Sequence, residues 1–373
     1  MMAEYKIYLY NTLTRLVTAT VPASSLSYGY KMDDAGSAMI EIPMGVPKLD
    51  GSALTPGDLF PVRTGVVVSR DGVLVWGGLL WAYKADLTKR TLSLSASGYL
   101  SYYAHRMTNY NGVRFDNIEQ TAMIKNLITA ATSGIQTDTA GLVPTNTVRS
   151  RSWNPYEMKP LASVFADLAD DITTIDPQSG REGGGFFLYF DPYWITPGVS
   201  IGNRVYNTVN RHPYDSGASL QQGVNCEFTD FSLDGTTLVS AAFAIGATDG
   251  TASLTPFAVD TNPSLLSTTP QISAVLTENG IKQTTALQYK ARSALAFGSA
   301  PVIVPTAVTY PNQFSPLSLK PGMSAGVTTD DGFLNLIDAD YVITETTVSV
   351  ASDGSDRIAL TLVQADLFKE TAD

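Results

Sequence analysis

Short-range alternation of apolar and polar side chains dominates residues 1–112 and is typical of β-strands. Two valine-rich runs flank Asp71-Gly72, and this dipeptide between β-rich runs predicts a hairpin. Gly77-Gly78 follows the second run and predicts a break or a bulge in that strand. Several short strands separated by Gly and Pro predict a small β-barrel or sandwich.

After this β region the apolar residues change to the spacing of helices. Apolar positions in 124–131 share one helical face, and Asp116 or Asn117 is placed to cap that helix. A longer apolar stripe at 161–172 predicts a second helix, and the aromatic run after it predicts a strand. These elements predict a compact α/β unit.

The last third of the chain returns to β character. Two β-rich runs, 224–231 and 238–244, are separated by an Asp-Gly pair at 234–235, which predicts another turn. Apolar residues in 284–297 fall on one helical face. Alternation along 342–362, with a turn in the middle, predicts a long closing hairpin.

A Leu-x-Pro-Gly sequence occurs twice, ending once in Pro56-Gly57 and once in Pro321-Gly322. Each copy is followed by a valine-containing run and then by an Asp-Gly pair, the second of which lies at 331–332. Recurrence of the whole order predicts a structural repeat. Chance is the alternative, because Pro-Gly is a common pair in type II turns.

Composition points to a protein that is covered by partners. The sequence has 373 residues and a net charge of −11, and 16% of its residues are charged, against about 25% in typical soluble domains. The low charge predicts that partner subunits cover much of the surface. The acidic balance argues against binding to nucleic acid, which needs a basic surface. The sequence contains neither a secretory signal nor an apolar run of membrane-spanning length.

Catalytic and metal-binding motifs are missing from the sequence, so we expect neither enzyme activity nor a cofactor. The histidines, His105 and His212, form no His-Glu-x-x-His pair. The single cysteine, Cys226, excludes an internal disulfide framework and a Cys-based zinc cluster. Solvated helix faces and turn chemistry explain the clustered carboxylates, and only Asp338 and Asp340 leave a weak calcium alternative.

Aromatic residues cluster at 99–103 and at 189–194. We expect them to pack a strand against a helix or to fill a subunit interface, where Tyr and Trp are enriched. Exposed rings that stack on sugars would instead make the chain a receptor- or carbohydrate-binding protein. That alternative stays open, as does a glycosidase with two facing carboxylates.

The order Leu-x-Pro-Gly, valine-rich strand, Asp-Gly and Val-x-Val-Trp-Gly-Gly runs from Leu54 through Trp76 to Gly78. It resembles the N-terminal region of hub proteins in the tail tips of long-tailed phages, the minor tail protein family typical of phages of actinobacteria. The predicted helices at 161–172 and 284–297 also resemble that family. The resemblance spans nearly the whole chain in order.

This family resembles the baseplate hub of contractile tails, in which two similar β-barrels from each of three subunits form a pseudo-six-fold ring. The resemblance therefore implies a mainly β fold with an inserted α/β domain. It implies a first hub barrel at 1–112 that is completed by about 200–245, an insertion at 113–199, and a second barrel with one helix at 246–373.

The implied function is that of a structural virion protein. It is a trimeric hub that adapts the six-fold tail tube to the three-fold tip and forms part of the conduit for genome delivery. The implied partners are two further copies of the chain, tail-tube proteins, the tape-measure protein and tip or fibre proteins. Specific nucleic-acid binding is not expected, and contact with the host envelope is indirect.

The implied location is the virion tail tip, after assembly in the host cytoplasm. Some family members carry a C-terminal extension that degrades cell wall, whereas this sequence ends shortly after its closing hairpin, so we expect no lytic role. The trimer is expected to be joined by the hairpin 66–81 and the strand 341–350. The candidate interface and turn residues are Pro56, Gly57, Asp71, Gly72, Trp76, Pro321, Gly322, Tyr341 and Val350.

Overall fold

Strict alternation along the strand Thr91–Gly98 places Leu92, Leu94 and Ala96 inside and leaves the intervening Thr and Ser side chains half-exposed. Strands of this kind make up most of the ordered structure, so the predicted mainly β fold class is confirmed. The computed structural model describes residues 3–109, 111–130, 134–169, 174–175, 182–183, 185–209, 214–246, 257–278, 284–330, 332, 336–351 and 353–365.

The first region contains β1 (Tyr5–Asn11), β2 (Val17–Val21), β3 (Ser25–Lys31), β4 (Ser37–Pro43), a 3-10 helix (Pro56–Leu59), β5 (Thr64–Arg70), β6 (Val73–Asp86) and β7 (Thr91–Gly98). The middle region contains α1 (Leu100–Tyr103), β8 (Val113–Glu119), α2 (Gln120–Ala130), β9 (Asp138–Gly141), β10 (Val148–Trp153), α3 (Leu161–Ala169), β11 (Thr174–Ile175), β12 (Glu182–Gly183), β13 (Leu188–Thr196) and β14 (Ser200–Asn207).

The last region contains β15 (Tyr214–Gln221), β16 (Cys226–Asp234), β17 (Ala241–Gly246), β18 (Phe257–Thr261), α4 (Pro263–Leu266), β19 (Ser273–Glu278), α5 (Thr284–Phe297), β20 (Val302–Thr309), a 3-10 helix (Pro316–Ser318), β21 (Met323–Asp330), β22 (Leu336–Val350) and β23 (Asp356–Gln364). None of the helices among the described residues is both long and apolar enough to cross a membrane.

One sheet connects the first and last regions. Its path includes the strands β20-β23-β22-β3-β4-β7-β6-β5-β1-β2 in that order, and β21 also pairs with β22. The connection is the antiparallel pairing of β22 with β3, in which Glu345 lies opposite Lys31 and Val350 lies opposite Leu26. The closing strands therefore share a sheet with strands that lie more than 300 residues earlier in the chain.

The same order and pairing of elements occurs twice. In the first copy β4 is followed by a 3-10 helix, β5, β6 and β7, with β5 paired to β6 and β4 paired to β7. In the second copy β20 is followed by a 3-10 helix, β21, β22 and β23, with β21 paired to β22 and β20 paired to β23. The repeated order expected from the sequence is therefore present, and it starts one strand earlier than the Leu-x-Pro-Gly sequences.

The chain divides into two compact units. The first comprises Met1–Ile172, Gly184–Thr229 and Thr306–Leu362, and the second comprises Thr173–Gly183, Asp230–Pro305 and Val363–Asp373. This division differs from the three domains predicted from the sequence, whose boundaries stay a prediction.

An aromatic-rich cluster of buried residues lies in the first unit. Val67 and Leu79 of the β5–β6 hairpin contribute to the same cluster of buried residues as Met123 of α2 and Phe165 of α3. The helices of the predicted α/β insertion therefore pack on the β region that precedes them. In the second unit, Leu287 and other residues of α5 cover one face of the β18-β17-β19 sheet.

The prediction that Gly77-Gly78 breaks or bulges its strand is wrong at these two positions. Strand β6 runs through both glycines, and its register shifts lie before and after them, near Val75 and Trp81. A Cβ atom on Gly77 would lie 2.7 Å from Tyr99 Oη, and one on Gly78 would lie 2.3 Å from the Ser97 carbonyl oxygen. The glycines are therefore required by close packing.

The structure also tests two local predictions, the cap of α2 and the second Asp-Gly turn. Neither Asp116 nor Asn117 caps α2, because the Glu119 carboxylate accepts the hydrogen bond from the Ala122 N–H at 3.0 Å. The cap of α2 therefore lies two to three positions later in the chain than the sequence pattern favours. The Asp-Gly turn predicted at 234–235 is present, because the Leu238 N–H donates to the Gly235 carbonyl oxygen at 3.1 Å. The strands on either side of it do not form a hairpin, because β17 pairs with β18 and β19.

Candidate assembly site

The predicted Asp-Gly hairpin is confirmed. Asp71 and Gly72 have φ values of 52° and 83°, which a type I′ turn requires and which Asn, Asp and Gly adopt most readily. Asp71 Oδ1 accepts a hydrogen bond from the Glu4 N–H at 2.8 Å, and the Asp71 N–H donates to the Glu4 carbonyl oxygen at 2.8 Å. The turn is thus fixed to the start of β1.

Behind this turn the hairpin belongs to the core. Trp76 is 1% exposed, and its Nε1–H donates to the Gly29 carbonyl oxygen at 3.0 Å. The valines of β5 are equally buried, whereas Val73 beside the turn is 53% exposed. Trp76 therefore stabilises the chain's own fold, and a contact between this hairpin and another subunit stays a prediction.

Strand β22 carries the other predicted interface residues. Tyr341 is 2% exposed and lies opposite Ala325 of β21. Val350, at the far end of the strand, is half-buried and lies opposite Leu26 of β3. Of the two, only Val350 keeps part of its side chain accessible to solvent.

The two Pro-Gly pairs have different backbone conformations. Pro56 and Gly57 open a 3-10 helix, where the Thr55 N–H donates to Asp58 Oδ2 at 2.8 Å. Gly322 instead has a φ of 88°, and its N–H donates to the Ile343 carbonyl oxygen at 2.9 Å. The turn at Pro321 is therefore fixed to β22. The repeat lies in the order and pairing of the strands, not in these turns.

A buried ion pair connects the two copies of the repeat. Asp356 at the start of β23 is 1% exposed, and its Oδ2 atom accepts hydrogen bonds from Arg70 Nε at 2.8 Å and from Tyr5 Oη at 2.6 Å. Burial raises the pKa of Tyr5, and the neighbouring Tyr28 and Asp356 raise it further. The Tyr5 hydroxyl therefore stays protonated as a donor.

The Arg70 guanidinium likewise keeps its positive charge. Burial lowers the pKa of this guanidinium, but the carboxylate of Asp356 and the hydroxyl of Tyr5 raise it by more, so the net shift is upward. The sequence does not reveal this contact, because Arg70 and Asp356 are 286 positions apart. The only local signal is a charged residue at a strand position beside the turn at 353–354.

Within the described ranges, no group of three or more His, Cys, Asp or Glu side chains is placed to hold a metal ion. Burial raises the pKa of the Cys226 thiol to about 11, which keeps it protonated. His105 is exposed and lies against the Trp81 ring, with 4.7 Å between ring centroids. His212 lies outside the described residues.

Comparison with solved structures identifies the fold as that of phage tail proteins. The 43 kDa tail protein of prophage MuSo2 from Shewanella oneidensis matches with a TM-score of 0.65 and 12% identity over 98% of this chain and 99% of that one. The tail protein from Neisseria meningitidis MC58 matches with a TM-score of 0.62 and 14% identity over 98% of both chains. Prophage tail protein gp18 from Listeria monocytogenes EGD-e matches with a TM-score of 0.54 and 11% identity over 95% of this chain and 94% of that one.

The two comparisons of the amino-acid sequence gave no match. No protein-family model matches the chain, and no curated protein matches it significantly. The likeness therefore lies in the fold and extends over nearly the full length of each protein compared.

Proposed function

We propose that this chain is a structural protein of a phage tail, the trimeric hub of a tail tip or baseplate. The observation that carries the proposal is the likeness of fold to prophage tail proteins over 98% of the chain. The repeated strand arrangement supports the adapter role. Because each chain carries two similar β arrangements, three chains in a ring offer six near-equivalent positions to a six-fold tail tube.

The trimer is joined by its β regions through head-to-tail contacts, in which one copy of the repeat meets the other copy in the next subunit. The low charged fraction of 16% favours large uncharged contacts of this kind. The exposed Val73 and the half-buried Val350 are among the residues of the two predicted elements that remain accessible for such contacts.

With this function we propose a division into three domains. They are a first hub barrel at 1–112 that is completed by about 200–245, an inserted domain at 113–199, and a second barrel at 246–373. The proposed partners are two further copies of the chain, the tail-tube proteins, the tape-measure protein and the tip or fibre proteins. The hub assembles in the host cytoplasm, resides in the virion and forms part of the conduit for genome ejection.

We also propose that the chain is not an enzyme. The support is the sequence, which carries no catalytic motif, together with a fold shared with tail proteins. Incubation of the purified chain with host peptidoglycan and wall polysaccharide tests this, with release of reducing ends as the readout. Hydrolysis that a single Asp or Glu substitution abolishes would overturn the proposal.

The decisive experiment for the hub is imaging of tail tips at a resolution that counts subunits. We expect three copies of the chain around the tail axis, with the two copies of the repeat alternating around the ring. Six copies, or one, would contradict the proposal. The mass of the free protein does not decide the question, because a ring can require a neighbouring tail protein to nucleate it.

A further inference from the structure

The sheet β18-β17-β19 in the second unit has two faces, and α5 covers one of them. On that face Ala242, Ala244 and Ala258 are buried against Leu287 and Ala291 of the helix. Successive side chains of a strand point to opposite faces of a sheet, so the intervening residues of the three strands lie on the other face. We call this other side of the sheet the open face.

The open face carries a contiguous group of apolar side chains. Phe243 of β17 lies opposite Val259 of β18 and beside Val275 of β19. In the next row Ile245 lies opposite Phe257. Phe257 and Val275 are each 62% exposed and Val259 is 45% exposed, while Phe243 and Ile245 are half-buried. Large apolar side chains are thus exposed together, in register, at the centre of the face.

Charge is missing from the open face. The register assigns nine positions to it, and the four besides the apolar group are Ala241, Thr261, Ser273 and Thr277. Asp260 of β18 lies on the covered face, where its Oδ2 atom lies 3.2 Å from Arg292 Nε of α5. An apolar sheet face is stable when another layer covers it. The sheet therefore has the composition of a layer that is covered on both sides.

The strand β19 adds a second sign that another chain covers this sheet. Among the described residues, β19 is an edge strand, and it pairs with β17 without a shift in register. Residues 273–277 of this strand include neither a charged residue nor a proline. Exposed edge strands of monomeric proteins are commonly protected by Lys, Pro or a bulge. Over these residues β19 has none of the three.

The size of the apolar group sets the strength of the contact that it can form. The exposed parts of Phe257, Val259 and Val275 amount to roughly 300 Å², a size at which an apolar patch on a monomer often marks an interaction site. A stable interface buries about 800 Å² on each partner. The open face therefore supplies the apolar centre of an interface but not its whole area, so we expect the free chain to associate weakly.

The distribution of charge indicates what covers the face. A basic partner would be held by carboxylates, and none of the nine positions carries one. Two copies of the chain repel each other through their net charges of −11, so they can approach closely only where the contact is uncharged. The open face meets this condition.

We propose that the open face binds a second copy of this chain, with the open faces of the copies turned towards each other. Sheets that pack face to face lie about 10 Å apart, with their side chains interdigitated. The inference rests on the proposed function in one respect, because the second copy is taken to be a neighbouring subunit of the hub. Around a three-fold axis, each open face packs against those of both neighbours.

The test measures hydrogen exchange of the purified full-length chain at about 5 µM and at about 500 µM, with sedimentation velocity at the same concentrations. Association follows mass action, so we expect the average mass to rise with concentration. Peptides that contain β18 and β19 should exchange at least about threefold more slowly at the higher concentration, because a covered face restricts local opening. Peptides from the exposed loop at 154–158 should exchange equally at both.

Two variants place a charge on the open face. Val275→Lys and Phe257→Lys alter side chains that are mostly exposed, so both variants should fold, and we expect each to weaken association at least about tenfold. Tyr289→Lys is the matched control, because Tyr289 is a 47% exposed residue of α5 and the change in net charge is the same. This control should associate as the parent chain does.

The inference is overturned if exchange in β18 and β19 does not depend on concentration, because the face is then bare or covered by something other than a second copy. It is also overturned if Val275→Lys and Phe257→Lys associate as tightly as Tyr289→Lys. Three copies in the tail tip without concentration-dependent protection would remove this inference and leave the hub. Six copies, or one, with protection that Val275→Lys abolishes would contradict the hub and support the contact between open faces.

Discussion

Arg70 Nε lies 2.8 Å from Asp356 Oδ2, although the two residues are 286 positions apart in the sequence. Arg70 ends β5 in the first copy of the repeated strand arrangement, and Asp356 begins β23 in the second. Along the sheet the two copies are joined through β3, which pairs with β22 on one side and with β4 on the other. This ion pair joins them a second time through side chains. Loss of the pair should therefore affect both copies.

Asp356→Asn should lower the free energy of unfolding by about 2–3 kcal/mol. Breaking a buried ion pair typically costs about 3–5 kcal/mol, and the Arg70 side chain is 19% exposed, so solvent reduces the loss. Urea unfolding followed by circular dichroism measures it. The control is Asp116→Asn in the exposed Arg114–Asp116 pair, which should change stability by less than about 0.5 kcal/mol. Additive effects of Asp356→Asn and Arg70→Met in a double-mutant cycle would show that the two side chains do not interact in solution.

Gly77→Ala should destabilise the chain by about 1–3 kcal/mol. The new methyl group would lie 2.7 Å from Tyr99 Oη and 2.9 Å from Pro192 Cβ, and overpacking of a filled core has a cost in this range. Gly57→Ala is the matched control, because its nearest neighbour, Thr55 Oγ1, would be at an ordinary 3.6 Å. Thermal unfolding of both variants provides the comparison. Equal melting temperatures would mean that β6 and Tyr99 separate easily.

Local patterns in the sequence predicted the local elements well. The Asp71-Gly72 hairpin, the helix α5 and the closing hairpin depend on residues that are adjacent or one turn apart, and all are present. The pattern failed where a distant contact determines the outcome. At Gly77 that contact is with Tyr99. Because Tyr99 lies outside the hairpin, the sequence around the glycine pair gives no sign of this close packing.

At the candidate sites, too, contacts between residues far apart in the sequence could not be predicted from local patterns. The sequence identified the turn at Pro321, but not that its neighbour Lys320 pairs with Asp191, 129 positions away. It likewise identified the aromatic run at 189–194 without indicating which of its rings pack against the core. Trp76 is a predicted interface residue because it lies in the hairpin 66–81, yet its side chain is buried in the chain's own core.

The proposed conduit predicts weak interaction with DNA. The net charge of −11 leaves little basic surface, and a channel that conducts a polyanion should not retain it through phosphate contacts. We expect no change in fluorescence anisotropy when a labelled DNA duplex is mixed with the chain at physiological salt. Tight binding that weakens steeply as salt is raised would contradict this, because that dependence indicates release of counterions from phosphates.

The Cys226 thiol should react very slowly while the chain is folded. Cys226 is fully buried, and burial, with a smaller contribution from the Glu227 charge, raises its pKa to about 11. The ordinary pKa of a cysteine is about 8.5, so the folded chain holds this proton more tightly than the unfolded chain does. The stabilisation that follows is complete below about pH 8 and is lost as the pH rises through the folded-state value.

At pH 8 the folded thiol is therefore about one-thousandth ionised, and only the thiolate attacks a disulfide reagent. We expect reaction with an aromatic disulfide to be at least about 100-fold slower in buffer than in urea, where the thiolate fraction is near its ordinary value. The rate in buffer should rise about tenfold for each pH unit below the pKa. Cys226→Ala should abolish the signal and thereby show that this thiol is the reacting group. A fast reaction at pH 8 that does not depend on urea would mean that the strand β16 opens readily in the folded chain.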